Sequence, residues 1–282
     1  ARPSELRGLF RNCRIIGRRF RLGHVMFHGG KIIEVATFRR NPGRLPEDGP
    51  IYETIEEDGV ERLCPRRQPV GDQSDLLIRT DNVFGQPHED AIRRDFTING
   101  LYYDVEREHV IDYVGGVRDL QNRVVRTIGQ PDIRFREDPI RILRAVKFSA
   151  RLDLGIDPDV YDAMVDLRDE LARAAPPRTF EELLRLMRGG AAHRSIFLLW
   201  DTGLLGVIVP ELAAYLDDDG QEARLTWLRL SALDRKMAEL ESVPSDAILL
   251  SVLFHGASEE FMEGARDLGV AFDTFFEDIA TR

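Results

Sequence analysis

Between residues 19 and 38 the sequence RFRLGHVMFHGGKIIEVATF alternates apolar with polar positions and is rich in β-branched side chains, which predicts two strands around the turn His28-Gly29-Gly30-Lys31. The second strand carries one charged side chain, Glu34. From Arg39 to about Asp75 the period is lost in NPGRLPEDGP and the charged, proline-bearing stretch after it. That loss predicts a long mobile insertion, the least ordered part of the chain. The pattern resumes at LLIRTDNVFG and runs into EDAIRRDFTINGLYYD, residues 89–104, which opens with the charges of a solvated helix and closes as a strand. LYYDV and HVIDYV predict a second hairpin around residues 106–108. GGVRDL predicts a turn into a short helix, and VVRTIG a last strand.

From Pro131 onward the period is helical. Helix starts fall at EDPIRILRAVKFSARL, at DPDVYDAMVDLRDELARA with Asp157 as the cap and Pro158 in the first turn, at PRTFEELLRLMRGG and at HRSIFLLWDTGLL. The expected architecture is α+β, a head with a mixed or antiparallel sheet followed by an all-helical array. Neither a repeat of fixed period nor a low-complexity tract is present.

Composition refines this picture. A chain of 282 residues can bury real cores, and its length favours about two domains. It is 43% hydrophobic and 31% charged, has no apolar run long enough to span a bilayer, and does not open on a basic-then-apolar leader, so a cytoplasmic protein with no membrane partner is expected. Cys13 and Cys64 are too few for a disulfide framework and sit in no zinc-ligand spacing, which leaves them as free thiols. The net charge of −10 opposes nucleic-acid binding when taken alone, but the charge is unevenly distributed. No acidic residue lies between Glu5 and Glu34, where Arg7, Arg11, Arg14, Arg18, Arg19, Arg21 and Lys31 fall, whereas acidic residues dominate beyond residue 200. Lysine occurs only at 31, 147 and 236; forked arginine donors suit phosphates and base edges, although genomic codon bias produces the same skew.

Two places concentrate chemistry. At the helix-to-strand junction Arg93, Arg94, Asp95 and Asn99 crowd together, and a capped, salt-bridged helix end is the plain alternative to a binding corner. On the wheel of EDPIRILRAVKFSARL, Ile140, Ile142, Leu143, Val146 and Ala150 form the apolar face, with Glu137, Asp138, Arg141, Arg144 and Phe148 opposite. Ion pairs at this spacing add only about 0.2–0.5 kcal/mol each, which is weak as a stability device. A carboxylate and a guanidinium locked by their own ion pair, Asp138 with Arg141, can instead imitate the edge of a nucleobase; a solvated face remains the alternative. Gly115-Gly116 reads as a hinge, a plain turn or, less well, a phosphate loop. His24, His28 and His193 lack ligand-spaced partners, and Phe197 and Trp200 read as core.

RRDFTIN at 93–99, DYVGGVRDL at 112–120 and EDPIRILRAVKF at 137–148 resemble, in order and spacing, the ribose, hinge and base-reading motifs of the bacterial class II nucleotidyltransferases, the family of poly(A) polymerases and CCA-adding enzymes. LFRNCRIIGRRFRL, IIEVATFR, IRTDNVFG and PRTFEELLRLMRGG are similar to the poly(A) polymerase branch. The resemblance implies a nucleotidyltransferase head over 1–130 with the mobile insertion at about 39–75, a base-reading helical neck over 131–195 and an RNA-binding body over 196–282. Arg18, Arg19 and Arg21 of the head are expected to contact RNA as well. The resemblance further implies addition of AMP from ATP to RNA 3′ ends, with Arg93 and Arg94 at the triphosphate or ribose, Asp95 on a ribose hydroxyl, Asn99 bracing the junction, and Asp138, Arg141 and Arg144 reading adenine.

The same resemblance implies two Mg2+ ions held by an Asp-x-Asp strand after a GGxVRD loop. Neither is in this sequence: Asp157-Pro158-Asp159 caps a helix and Asp217 to Asp219 lies in an acidic loop. The metal ligands are therefore expected upstream of Ala1, with Glu34 the third carboxylate and the catalytic residue this chain retains. CCA or terminal-A addition to tRNA, and a non-catalytic binding relic, stay open beside polyadenylation.

Overall fold

The computed structural model describes residues 3–17, 22–40, 52–57, 59–66, 83–218, 220–240 and 242–268. Arg18, Arg19 and Arg21 lie outside the described residues, as does most of LLIRTDNVFG. The chain divides into two compact units, one of Ala1–Asn122 with Arg126–Gln130 and one of Arg123–Val125 with Pro131–Arg282.

The first unit is assembled from short antiparallel pairs. It begins with helix α1 (Pro3–Leu9) and strands β1 (Cys13–Ile16), β2 (Leu22–Met26) and β3 (Ile32–Val35), which make a three-stranded sheet in that order. The predicted hairpin is β2–β3; β1 is an added strand that the sequence pattern did not reveal. Leu6, Cys13 and Val25 are buried on one face of the sheet, with Ile15 and Val35 packed against them. The cross-strand register Arg14↔His24 and His24↔Glu34 sets a polar row across the strands.

Within the stretch expected to be a mobile insertion, the described residues 39–40, 52–57 and 60–65 hold regular structure. Strand β4 (Arg39–Arg40) pairs with β7 (Val83–Phe84), and β5 (Tyr52–Glu57) pairs with β6 (Val60–Pro65) as an antiparallel hairpin. Its alternation is hard to see because β5 leaves Glu53, Thr54, Ile55 and Glu56 exposed, so no apolar face marks it. What anchors it is polar: Arg62, 2% exposed, reaches Asp119, which is fully buried.

Helix α2 (Pro87–Ile92) opens on a capping box between Gln86 and Glu89 and ends at Arg93. A 3-10 turn, Thr97–Asn99, leads into β8 (Leu101–Asp104) and β9 (His109–Asp112), the predicted second hairpin, whose register sets Leu101 opposite Asp112, then into α3 (Gly116–Gln121). The predicted last strand is split. Thr127 bridges Phe96 within the first unit, while β10 (Val124–Val125) runs parallel to β11 (Gly155–Ile156) in the second.

The second unit is helical: α4 (Pro131–Glu137), α5 (Ile140–Leu152), α6 (Pro158–Asp166), α7 (Pro176–Met187), α8 (Ala192–Asp201), α9 (Leu204–Ile208), α10 (Pro210–Asp217), α11 (Gln221–Met237) and α12 (Asp246–Leu268). Asp157 caps α6 by accepting from the Asp159 amide at 3.2 Å. The predicted apolar face of α5 is buried throughout. The helix itself starts later than expected, because Pro139 carries no amide hydrogen and separates Glu137, the last residue of α4, from Ile140. Phe197 is 42% exposed, so it is no core residue; with Trp200, Trp227 and His193 it forms a surface cluster of tilted and edge-to-face rings between α8 and α11. Among the described residues no helix is long and apolar enough to cross a membrane.

Candidate nucleotide site

The junction at 93–99 is organised by a residue that the sequence pattern did not single out. Asp90, on the last turn of α2, is 2% exposed. One of its carboxylate oxygens accepts from Arg93 Nε and Nη2 at 3.0 and 2.8 Å and from the Arg39 amide at 3.0 Å. The other accepts from Arg94 Nε and Nη2 at 3.2 and 3.0 Å and from the Tyr102 hydroxyl at 2.8 Å. Arg94 also lies over the Tyr102 ring, 5.0 Å from its centroid, and donates to the Asn99 carbonyl at 2.8 Å.

Burial pushes the Asp90 carboxyl up, but Arg93, the Tyr102 hydroxyl and the Arg39 amide outweigh it and hold it below the usual carboxylate range. Burial, and then the bond to Asp90, push the Tyr102 phenol up, so it stays a donor at neutral pH. The two guanidiniums are thus fixed side by side by a permanent anion beneath them. Asp90 precedes Arg93 and Arg94 by three and four residues, a helical spacing that could have identified it.

Asp95 is buried and accepts from its neighbour's amide, Phe96, at 3.0 Å and from Asn99 Nδ2 at 2.9 Å. Asn99 therefore braces Asp95 directly. The 3-10 turn is tied elsewhere by Thr97, whose hydroxyl donates to Asp119 at 2.7 Å.

The glycine pair at 115–116 resolves its own ambiguity. Asp112 accepts from the amides of Val114, Gly115 and Gly116 at 3.0, 2.8 and 3.1 Å with one oxygen and from Val117 at 2.9 Å with the other. This carboxylate occupies the anion nest that a phosphate loop would offer. Gly115 has φ +76°, and a side chain on Gly116 would collide with the Thr97 carbonyl, so the glycines serve the turn and its close packing on the 3-10 segment.

In the helical unit the expected pair is exchanged for two others. Arg141 is buried and donates to Glu137 at 2.7 Å and to the Arg134 carbonyl at 3.0 Å, while Glu137 also accepts from Arg134 at 2.7 Å. Asp138 accepts from Arg178 of α7 at 3.0 Å. Glu137 precedes Arg141 by four residues, the ordinary neighbour spacing of a helix, while Asp138 meets α7. Arg144 lies over the Phe148 ring at 5.3 Å. Lys147, opposite Phe148 at 5.4 Å, pairs with the buried Glu182 at 2.8 Å.

Glu34 sits on β3, 63% exposed at its side chain, and bonds His24 Nε2 at 3.0 Å across the strands. Among the described residues no three His, Cys, Asp or Glu side chains group so as to hold a metal ion. A hard cation such as Mg2+ needs several oxygen ligands, which Glu34 cannot supply alone, so these residues do not by themselves fit the metal centre.

The first, α+β unit carries an arginine pair on a buried carboxylate, and the second, helical unit a guanidinium–carboxylate set. Residues 1–126 match the family profile described as the poly A polymerase head domain, and residues 153–216 the one described as the probable RNA and SrmB-binding site of polymerase A. The chain is 39% identical to poly(A) polymerase I of Salmonella typhimurium over 274 residues, 96% of this chain and 55% of that protein. It is 44% identical to poly(A) polymerase I of Escherichia coli O6:H1 over 220 residues, 78% and 43% of the two chains. A crystal structure of the Bacillus stearothermophilus CCA-adding enzyme in complex with CTP shares the fold with a TM-score of 0.55 at 22% identity, covering 100% of this chain and 71% of that one. The chain carries the head domain of the poly A polymerase family. It spans about half the length of the curated relatives it matches.

Proposed function

We propose that the protein transfers AMP from ATP to RNA 3′ ends without a template. The RNA 3′-hydroxyl attacks the α-phosphorus; a new P–O bond forms, the α–β phosphoanhydride breaks and pyrophosphate leaves. The observation that carries this reading is the pair of guanidiniums fixed over Asp90 at 2.8–3.2 Å, a preorganised cluster whose net positive charge suits a triphosphate, in the segment matched by the head-domain profile. Arg93 and Arg94 face the phosphates or ribose, Asp95 accepts from a ribose hydroxyl and selects ribonucleotides, and Asn99 holds Asp95 for that task. Asp138 and Arg141 read the base edge with Arg144 in support, each good bidentate contact discriminating by about 1–3 kcal/mol. Glu34 acts as a carboxylate of the reaction centre, with magnesium as the divalent ion, and the basic segment including Arg18, Arg19 and Arg21 contacts RNA phosphates. The reaction takes place in the cytoplasm.

The test is incubation of the full-length protein with magnesium, ATP or CTP, and either unstructured RNA or tRNA. Tails of indefinite length from ATP on unstructured RNA support the proposal. Additions that stop at a fixed length, use CTP or require tRNA identify a CCA- or A-adding enzyme, and nucleotide binding without transfer identifies a relic.

A further inference from the structure

We propose that the β5–β6 hairpin is a positioning element for the nucleotide corner and that Arg62 is its positioning residue. The hairpin is fastened along its length to the pieces that build the corner. At one end the Tyr52 ring meets His88 of α2 edge to face at 5.2 Å, two residues before Asp90. The Leu63 amide donates to the Tyr113 carbonyl at 2.9 Å. At the other end Glu57 pairs with Arg126 at 2.8 Å.

Between these anchors Arg62 donates through Nη1 to the carbonyls of Val114 and Gly115 at 3.0 and 3.2 Å, and grips Asp119 with both Nη atoms at 2.8 and 2.9 Å. A chain of charge-assisted bonds leads on from there. The Asp119 oxygen held by Arg62 Nη1 also receives the Thr97 hydroxyl at 2.7 Å, and Thr97 begins the three-residue turn whose last member, Asn99, holds Asp95 at 2.9 Å.

Asp119 is fully buried, and Arg126 Nε lies 3.4 Å from it as a second cation. A carboxylate that deep depends on its forked partner. Without Arg62 it keeps Arg126 as a cation but loses the fork that fixes its place, so it shifts and Thr97 moves with it. The hairpin thus reaches Arg93–Asn99 from two sides, through α2 and through Asp119. That makes it more than a strut: its loss disorders the groups proposed to hold ribose and phosphate.

This inference rests on the nucleotide reading of the corner, so the experiment separates the two. In the full-length protein, Arg62→Met, Arg62→Lys and the exposed control Glu61→Gln are compared with wild type. The readouts are thermal melting, steady-state ATP kinetics below the melting range, and amide hydrogen exchange of the peptide spanning 93–99. Arg62→Met is expected to raise the KM for ATP about tenfold or more with kcat within about threefold, and to speed exchange at 93–99. Arg62→Lys, which keeps the charge without the fork, falls between, and Glu61→Gln behaves as wild type. Unchanged KM and unchanged exchange at 93–99 in a folded variant, even one that melts lower, overturn the proposal. Should Arg62→Met not fold, Arg62→Lys decides by the same criteria. If wild type neither binds nor transfers nucleotide, the nucleotide reading falls, and the exchange at 93–99 still decides whether Arg62 positions the corner.

Discussion

At the scale of single residues, the arginine corner depends on Asp90. Two guanidiniums, an amide and a phenol converge on its buried carboxylate, and replacing it by asparagine leaves two cations facing a neutral group. Asp90→Asn is expected to destabilise the head by about 3 kcal/mol in denaturant unfolding at pH 7. The acid dependence has a definite sign. The folded carboxyl titrates below its ordinary value of 3.8, so its stabilisation is complete above about pH 4 and is lost as pH falls through the lowered value. The cost of Asp90→Asn should therefore shrink on acidification, as unfolding curves at successive pH values would reveal. Arg141 and Asp138 differ in kind. Arg141 is buried on Glu137, so Arg141→Ala should lower stability by about 2 kcal/mol as well as loosen base choice. Asp138 meets Arg178, which is 58% exposed at its side chain, a pair worth at most about 1 kcal/mol. Asp138→Asn should leave melting nearly unchanged while shrinking the ATP-over-CTP preference about tenfold, read as a ratio of kcat/KM values.

At the scale of elements, α3 depends on a residue outside itself. Asp112 ends β9 and receives four amides at the head of the helix, so Asp112→Ala should destabilise the head by about 2 kcal/mol, measured by chemical denaturation. A change near zero would mean that the turn holds without its carboxylate. The β2–β3 and β8–β9 hairpins and the apolar face of α5 were legible in the sequence because they express a local period. The β5–β6 hairpin was not, because its period is masked by exposed polar side chains and its anchor is a charge pair 57 residues apart in sequence. Phe197 and Trp200 carry an apolar stripe, yet they meet Trp227 of α11 at the surface, and no local pattern announces where a stripe lands.

At the scale of the whole molecule, charge is segregated along the chain. Beyond residue 200 there are 17 acidic and 6 basic side chains, whereas the stretch between Glu5 and Glu34 holds only basic ones. RNA phosphate is repelled by the first composition and drawn to the second. Reversing Arg18 and Arg19 to glutamate should lower RNA affinity and flatten the slope of log K against log salt by about 0.7 for each phosphate no longer neutralised. An unchanged slope would place the RNA elsewhere.

The β2–β3 and β8–β9 hairpins, the helical period after Pro131 and the crowding of Arg93, Arg94, Asp95 and Asn99 could be read from the chain alone, since periodicity, capping and motif spacing act over a few residues. Which partner each charge takes was settled by folding. Arginine is compatible with any carboxylate within reach, and reach is a property of the folded chain: Arg62 found Asp119, Asp138 found Arg178, and Arg141 took Glu137 rather than Asp138.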